Sequence, residues 1–149
     1  MRRSIRYQGA VVLAENLLLL KVLDRQTGNL FWLFPGGGRE PGETVEQCVE
    51  REVWEETSLR VAVTRFLFEV PDIPEGIYDR LRTYLCVVQA GVARPGIEPE
   101  VDEDGHPPTI QDIGWFHLRQ PETWDALLQE GEITYAMLQQ VRAALGYAP

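Results

Sequence analysis

The sequence predicts an α/β domain in which helices pack on a mixed β-sheet. Short apolar segments of strand character recur along the chain as far as residue 116, one amphipathic helix interrupts them, and two further helices close the chain. A length of 149 residues fits one domain. Because no linker or internal repeat divides it, we expect a single domain over residues 1–149.

Each predicted strand is a short apolar run bounded by turn residues. The first run turns near Glu15–Asn16, residues 25–29 form the next turn, and Pro35 ends the strand that follows. The Pro- and Gly-containing segments 71–79 and 91–108 are predicted to be surface loops, the second of them long, acidic and mobile. The predicted strands are two within residues 6–23, then 30–34, 59–70, 80–90 and 109–116.

Three helices are predicted from their periodicity and end signals. The first runs from Thr44 to about Thr57, after a glycine-rich loop that ends at Glu43. Thr44 and Gln47 fit the capping-box pattern, in which each side chain satisfies a backbone N–H of the other. The two closing helices are expected at residues 121–129 and 134–145.

Composition and charge exclude several functions. The chain is 44% hydrophobic with a formal net charge of −9, which disfavours binding to nucleic-acid polymers. The apolar stretch after the basic N-terminus is broken by polar residues, so neither a signal peptide nor a membrane span is predicted. Cys48 and Cys86 have no metal-type spacing and are predicted to be core residues in a reducing cytoplasm, with one disulfide as the alternative.

The first helix places carboxylates where apolar residues are expected. At about 100° per residue, its apolar stripe is defined by Cys48, Val49 and Val53. Glu52 and Glu56 fall inside this stripe and Glu55 falls at its border, whereas Glu46 and Glu50 point toward solvent. A run of charge is usually a solvated surface. Here, however, three like charges would share one partly buried face, which is unfavourable unless a cation joins them.

A divalent metal fits this face. Mg²⁺ and Mn²⁺ prefer oxygen ligands, and in an acidic protein they can supply the positive charge that phosphates require. The preceding loop supports a phosphate ligand, because its glycines permit positive φ and a close approach of the backbone just ahead of a helix N-terminus. These glycines are Gly36, Gly37, Gly38 and Gly42.

Together these residues resemble the Nudix box, G-x5-E-x7-R-E-U-x-E-E-x-G-U with U aliphatic. The match covers 23 contiguous positions from Gly37 to Leu59, and Trp32, Pro35 and Gly36 resemble the family's lead-in. Its one departure is Ser58 in place of glycine. A left-handed backbone conformation is expected at this position, and serine should adopt it at a cost of about 1 kcal/mol relative to glycine. The chain is therefore identified as a MutT-like member of the Nudix hydrolase family.

The resemblance implies the Nudix fold, an α/β/α sandwich around a mixed sheet. It also implies metal-dependent hydrolysis of a nucleoside diphosphate linked to another group, with Mg²⁺ or Mn²⁺ as cofactor. The implied metal ligands are Gly37 through its backbone, Glu52, Glu55 and Glu56. The implied catalytic residues are Glu43, Arg51, Glu52 and Glu55, with Arg51 pairing with Glu43 to hold the loop against the helix. The loop glycines implied to bind cofactor or phosphate are Gly36, Gly37 and Gly38.

The general base is left open. Glu52 or Glu55 could act while also touching metal, and members of the family also use an acid from a loop remote from the box. The acidic residues of segment 91–108 that suit this role are Glu98, Glu100, Asp102 and Glu103. A solvated loop is the alternative for these residues, and for Asp112 in the last strand a structural role is equally open.

The substrate is also left open. Pro74 lies 15 residues after Leu59 and Tyr78 lies 19 after it. In the family a proline near the first offset accompanies ADP-ribose hydrolysis and a tyrosine beyond it accompanies dinucleoside polyphosphates, but both residues also suit a turn. In its short length the chain resembles MutT-type members of the family, which implies (oxidised) nucleoside triphosphates as substrates. Three aromatic residues could stack on a base or belong to the core: Trp32, Phe34 and Tyr84.

The expected partner is a small nucleotide rather than a nucleic-acid polymer or a membrane, and the protein is expected to be a cytoplasmic monomer or homodimer. A non-catalytic nucleotide-binding module is the alternative to an enzyme. The fold serves both roles, but such modules usually lack the box carboxylates. An isoprenoid diphosphate isomerase is a further relative, but it needs a catalytic cysteine, and nothing marks either cysteine here for that role.

Overall fold

A mixed β-sheet forms the centre of the chain in its computed structural model, which describes residues 3–71, 78–96 and 109–149. The strands of the described residues are β1 (Arg3–Leu13), β2 (Asn16–Leu23), β3 (Leu30–Leu33), β4 (Gly36–Gly37), β5 (Arg60–Pro71), β6 (Tyr78–Ala90) and β7 (Ile110–His117). The helices are α1 (Val45–Thr57), α2 (Ala126–Glu130) and α3 (Glu132–Ala144), with a 3₁₀ turn at Pro121–Thr123 before α2.

The sheet combines both strand directions. β1 and β6 run parallel, whereas β1 with β2, β2 with β3 and β5 with β6 run antiparallel. The order is β3-β2-β1-β6-β5, with β4 also paired to β1 and β7 also paired to β2. Because β2 leaves β1 after Leu17, the first half of β1 is free to pair with the short β4, which brings the glycines beside Tyr7 and Gln8.

Helices cover both faces of the sheet. One core lies under α1, and the other lies under α2 and α3. The sequence of β2 explains this arrangement, because its four consecutive leucines are completely buried and alternate between the two cores. The predicted α/β/α sandwich around a mixed sheet is therefore confirmed. Within the described ranges, no helix has the length and apolar character needed to cross a membrane.

Most predicted elements are present, and the differences lie at their ends. Tyr78 was predicted to lie in a loop, but it begins β6, pairs with the start of β1 and is buried. The predicted helix over residues 121–129 is instead a 3₁₀ turn followed by the short α2, which begins after Asp125 accepts a hydrogen bond from the Leu127 N–H. An extended Trp124 separates the two and places its indole in the second core.

Two segments predicted as loops are ordered against their neighbours. Gly36 and Gly37 form β4 rather than part of an open loop. Residues 91–96, predicted as the start of a mobile loop, hydrogen-bond to the C-terminal end of α1. The rest of that predicted loop, residues 97–108, lies outside the described residues, as do residues 72–77.

Candidate active site

Helix α1 begins and ends at defined caps. The Thr44 hydroxyl accepts a hydrogen bond from the Gln47 N–H at 3.1 Å, and the Gln47 side chain accepts one from the Thr44 N–H at 2.9 Å, which confirms the predicted capping box. At the other end Ser58 adopts the left-handed conformation, with φ 64° and ψ 13°. The serine therefore keeps the turn that glycine would make, and the direction of the helix end is preserved.

Glu52 and Gly37 face each other across the gap between α1 and β4. A Cβ added to Gly37 would lie 2.6 Å from Glu52 Cδ, so only glycine allows the carboxylate to take this position. Burial raises the pKa of Glu52 above its ordinary value, and the negative charge of Glu55 adds to the rise, while Arg51 opposes it. A carboxylate in such a position gains from any nearby cation.

Glu56 is hydrogen-bonded to Gly36, the residue of β4 that precedes Gly37. Its Oε1 accepts a hydrogen bond from the Gly36 N–H at 2.8 Å. Gly36 in turn lies directly on β1, because a Cβ there would be 2.6 Å from Gln8 Cα. The glycines of β4 are thus required for close approach. The other property that glycine permits, positive φ, is used in this loop by Gly42, with φ 80°, and not by Gly36, Gly37 or Gly38.

Arg51 joins the loop to two of the glutamates. Its Nε and Nη2 donate to the two carboxylate oxygens of Glu43 at 2.7 and 3.1 Å. Its Nη1 donates to Glu52 at 3.0 Å and to Glu55 at 3.3 Å, and Nη2 also donates to the carbonyl of Gly38 at 3.3 Å. The hydrogen bond from Arg51 lowers the pKa of Glu43. One guanidinium therefore fixes the loop and neutralises part of the acidic face.

The donor set of this face fits a hard divalent cation. Three carboxylates and the closely apposed Gly37 backbone offer the oxygen ligands that Mg²⁺ and Mn²⁺ prefer. Among the described residues no three acidic, His or Cys side chains already converge on one point. Glu52 and Glu55 are turned toward Arg51, and Glu56 is turned toward Gly36. Holding a cation here would require these carboxylates to exchange protein donors for the metal.

The remaining glutamates of α1 have different surroundings. Glu46 is exposed, as predicted. The same prediction for Glu50 is wrong, because its Oε2 accepts a hydrogen bond from the Val63 N–H at 3.1 Å. Val63 lies beside a register shift in β5, and such an irregularity locally disrupts the ladder of backbone hydrogen bonds. Periodicity assigns a residue to a helix face but gives no information on an irregularity in a neighbouring strand.

Both cysteines are buried and free, which excludes the disulfide alternative. Burial raises the pKa of each thiol to about 12. Cys48 donates a long hydrogen bond of 3.8 Å to the carbonyl of Gly37, and Cys86 packs beneath α1 with Val49 and Val53. The three aromatic residues considered for base stacking, Trp32, Phe34 and Tyr84, are core residues.

Several predicted site residues remain apart from this cluster or outside the structure. Asp112 is exposed on β7, opposite Lys21 of β2, and accepts a hydrogen bond from the Ile113 N–H. Pro74 and the acidic candidates Glu98, Glu100, Asp102 and Glu103 lie outside the described residues. Sequence reasoning missed Arg6, which donates to the carbonyl of Phe34 at 2.9 Å and whose charge acts on Glu52.

Comparison with known proteins identifies the family of this site. The family model described as the NUDIX domain matches residues 4–137. The chain belongs to the Nudix family. This Nudix domain is similar to a MutT-like protein of Streptomyces ambofaciens, with 38% identity over 95 residues, which cover 64% of this chain and 58% of that protein.

Two further comparisons bear on the domain. The NAD-capped RNA hydrolase NudC of Chromobacterium violaceum is 32% identical over 80 residues, 53% of this chain but only 25% of that protein. The chain thus matches a quarter to somewhat over half of these two relatives. The structure of an ADP-ribose pyrophosphatase from Streptococcus suis superimposes with a TM-score of 0.66 at 21% identity, covering 97% of this chain and 93% of that one. At that identity the likeness shows the fold.

Proposed function

We propose that this Nudix domain is a metal-dependent pyrophosphohydrolase that cleaves a nucleoside diphosphate linked to another group. The observation that carries the proposal is the acidic face of α1 lying on β4, with Glu52 against Gly37 and Glu56 bonded to Gly36. The family model and the hydrolases among its relatives support the same class of reaction. The proposed metal ligands remain Gly37, Glu52, Glu55 and Glu56, with Mg²⁺ or Mn²⁺ as the cofactor.

The proposed reaction is the attack of water on one phosphorus of the pyrophosphate link. A new P–O bond forms while the bridging P–O bond breaks, and the water proton passes to a base. When bound, the cation supplies positive charge to the phosphate oxygens and acidifies the attacking water. Glu52 or Glu55 could accept the proton, and an acid of segment 97–108 is the other candidate base.

The protein side chains would supply orientation and charge balance. Arg51 and Glu43 would hold the loop at a fixed distance from α1, so that Gly36, Gly37 and Gly38 present backbone to the phosphates. Before a cation binds, Glu56 would keep β4 in place through the Gly36 N–H. Because Arg51 also contacts Glu52 and Glu55, it would limit their mutual repulsion before substrate binds.

For the substrate we propose (oxidised) nucleoside triphosphates, with ADP-ribose and dinucleoside polyphosphates as the alternatives to be tested. We further propose a cytoplasmic monomer or homodimer.

A panel of these nucleotides with Mg²⁺ or Mn²⁺ tests the function, with release of phosphate, pyrophosphate and mononucleotide as the measurement. We expect hydrolysis of at least one class of substrate, dependence on the divalent cation, and a loss of at least about 100-fold in kcat for Glu55→Gln. Saturable nucleotide binding without hydrolysis of any compound would favour a non-catalytic module. Full metal-dependent activity of Glu55→Gln would contradict the assignment of that residue.

A further inference from the structure

Residues 91–96 provide hydrogen-bond donors to the C-terminal end of α1. The last carbonyls of a helix have no partner within the helix. In α1, the Trp54 carbonyl accepts from the Ser58 N–H at 3.0 Å, as part of the left-handed turn. The last two carbonyls of α1 accept hydrogen bonds from outside the helix. The Glu56 carbonyl accepts from the Gly96 N–H at 2.8 Å, and the Thr57 carbonyl accepts from the Arg94 N–H at 2.9 Å.

Glycines at both ends of this segment make the close approach possible. A Cβ on Gly96 would collide with the carbonyl oxygen of Glu55 and would lie 2.8 Å from Glu56 Cα. Gly91 has φ +102°, and a Cβ there would lie 2.7 Å from the carbonyl oxygen of Ser58. Both obstacles are backbone atoms, which cannot move aside as the end of a flexible side chain would. The 91–96 segment therefore lies directly on the backbone of the last helical turn.

The helix end that it contacts is electrostatically unfavourable. A helix C-terminus carries partial negative charge and is stabilised by basic residues, at about 0.3–1 kcal/mol each. The last turn of α1 has no basic residue, and it carries Glu55 and Glu56. Helix ends of this kind open locally at little cost in free energy. Donors from outside the helix compensate for this weakness.

We propose that the 91–96 segment holds the last turn of α1 in place and that Gly96 is a positioning residue for Glu55 and Glu56. The inference rests on the proposed function, in which these carboxylates bind a divalent cation. Gly96 contacts the peptide units to which both side chains are attached, and not the carboxylates themselves. Ligands must be held to within about 0.5 Å for productive geometry, so a frayed last turn would weaken the metal site.

The test compares two substitutions at one exposed position of the full chain. Arg94→Pro removes the N–H that reaches Thr57, whereas Arg94→Ala keeps the N–H and removes the exposed side chain. Gly96→Ala places a methyl group against the Glu55 carbonyl. Mn²⁺ alone is titrated into each protein and free Mn²⁺ is followed by electron paramagnetic resonance. Hydrogen exchange of the amides in α1 is measured in parallel.

We expect Arg94→Pro and Gly96→Ala to weaken Mn²⁺ binding by about 10-fold or more, as substitutions behind a metal ligand do, and to speed exchange in the last turn of α1. Arg94→Ala should match the wild type in both measurements. Gly146→Ala controls for general loss of stability, because Gly146 has φ +83° and open space around it, far along the chain from α1. It should lower the melting temperature without changing Mn²⁺ affinity.

The outcomes separate this inference from the proposed function. If wild-type protein does not bind Mn²⁺, the proposed metal site fails. If the wild type binds Mn²⁺ and Arg94→Pro binds it equally well, the positioning role is overturned, whether or not exchange has changed. If Gly146→Ala weakens binding as much as Gly96→Ala at equal loss of stability, the effect is not specific and the inference is again overturned. If Gly96→Ala does not fold, the comparison of Arg94→Pro with Arg94→Ala still tests whether the 91–96 segment holds the last turn of α1.

Discussion

The Cα of Gly37 lies against the carboxylate of Glu52, and no side chain fits between them. This contact joins a glycine of β4 to a glutamate in the second half of α1, 15 residues later in the sequence. The strand places the backbone of Gly37 beside β1, and α1 places Glu52 above it. A Cβ at position 37 would lie 2.6 Å from Glu52 Cδ, so any residue larger than glycine would displace this carboxylate.

Gly37→Ala should therefore lose most activity while the protein stays folded. The added Cβ would meet Glu52 and force its carboxylate to move by an ångström or so, and displacements of about 1 Å can cost about 100-fold in rate. The measurement is kcat on the substrate found in the nucleotide panel. Gly131→Ala is the matched control, because its nearest neighbour is at an ordinary 3.7 Å and its φ is −92°. Equal rates for the two variants would show that the contact is irrelevant to catalysis.

The ion pair between Arg51 and Glu43 should contribute measurably to stability. Both side chains are largely buried, with 22% and 12% exposed, and the pair is bidentate. A double-mutant cycle with Arg51→Met and Glu43→Gln should give a coupling free energy of about 1–2 kcal/mol in urea unfolding.

The pair Arg119–Glu15 is a matched comparison for this cycle. It is as short, at 2.6 Å, but its side chains are 64% and 42% exposed. Solvent screening and the cost of ordering two exposed side chains should reduce its coupling to about 0–1 kcal/mol. A coupling for Arg119–Glu15 as large as that of Arg51–Glu43 would show that burial is not what strengthens the loop contact.

The sequence predicts the helix carrying the site more accurately than the segments around it. The capping box and the left-handed end of α1 depend on neighbouring residues, and Ser58 shows that the turn persists without glycine. The alternation of four leucines in β2 between two cores is also local information. Such features are set by residue order and helix or strand geometry, and for this reason the fold class follows from the sequence.

Contacts between distant segments could not be predicted in this way. The hydrogen bond from Val63 to Glu50 depends on a register shift between β5 and β6, which leaves no mark in either sequence. Gly96 stands in a segment rich in Pro and Gly, where a glycine is expected for turn reasons alone. Only the packing of that segment on α1 reveals that a Cβ would collide with backbone.

Glu50 and Glu56 should separate stability from activity. Glu50→Ala removes the acceptor of the Val63 N–H and should lower the free energy of unfolding by about 1–2 kcal/mol with kcat unchanged. Glu56→Gln keeps an acceptor for the Gly36 N–H, so its stability should stay close to wild type while kcat falls by at least about 100-fold. Unfolding and kinetics are measured on the same preparations. If Glu50→Ala were inactive and Glu56→Gln kept its kcat, the active site would lie on a different face of α1 from the one proposed.

Cys86 should make the stability of the protein sensitive to alkaline pH. Burial raises the pKa of its thiol from 9.0 to about 12, so the folded protein keeps the proton over a range in which the unfolded chain loses it. A raised folded-state pKa contributes stability that is fully present below the unfolded pKa and is lost as pH rises toward the folded pKa. The free energy of unfolding of the wild type should therefore fall relative to that of Cys86→Ala between about pH 9 and 12, by up to about 1.4 kcal/mol per pH unit.

Urea unfolding of both proteins at pH 8, 9.5 and 10.5 measures this difference. Cys86 lies within 3.2 Å of a Cβ placed on Gly9, so Cys86→Ala also leaves a small cavity and starts from a lower stability. That cavity term does not depend on pH, whereas the thiol contribution does. Cys48 is present in both proteins and cancels in the comparison. If the difference in unfolding free energy between wild type and Cys86→Ala stayed constant from pH 8 to 10.5, the Cys86 thiol would ionise in the folded protein as readily as in the unfolded chain.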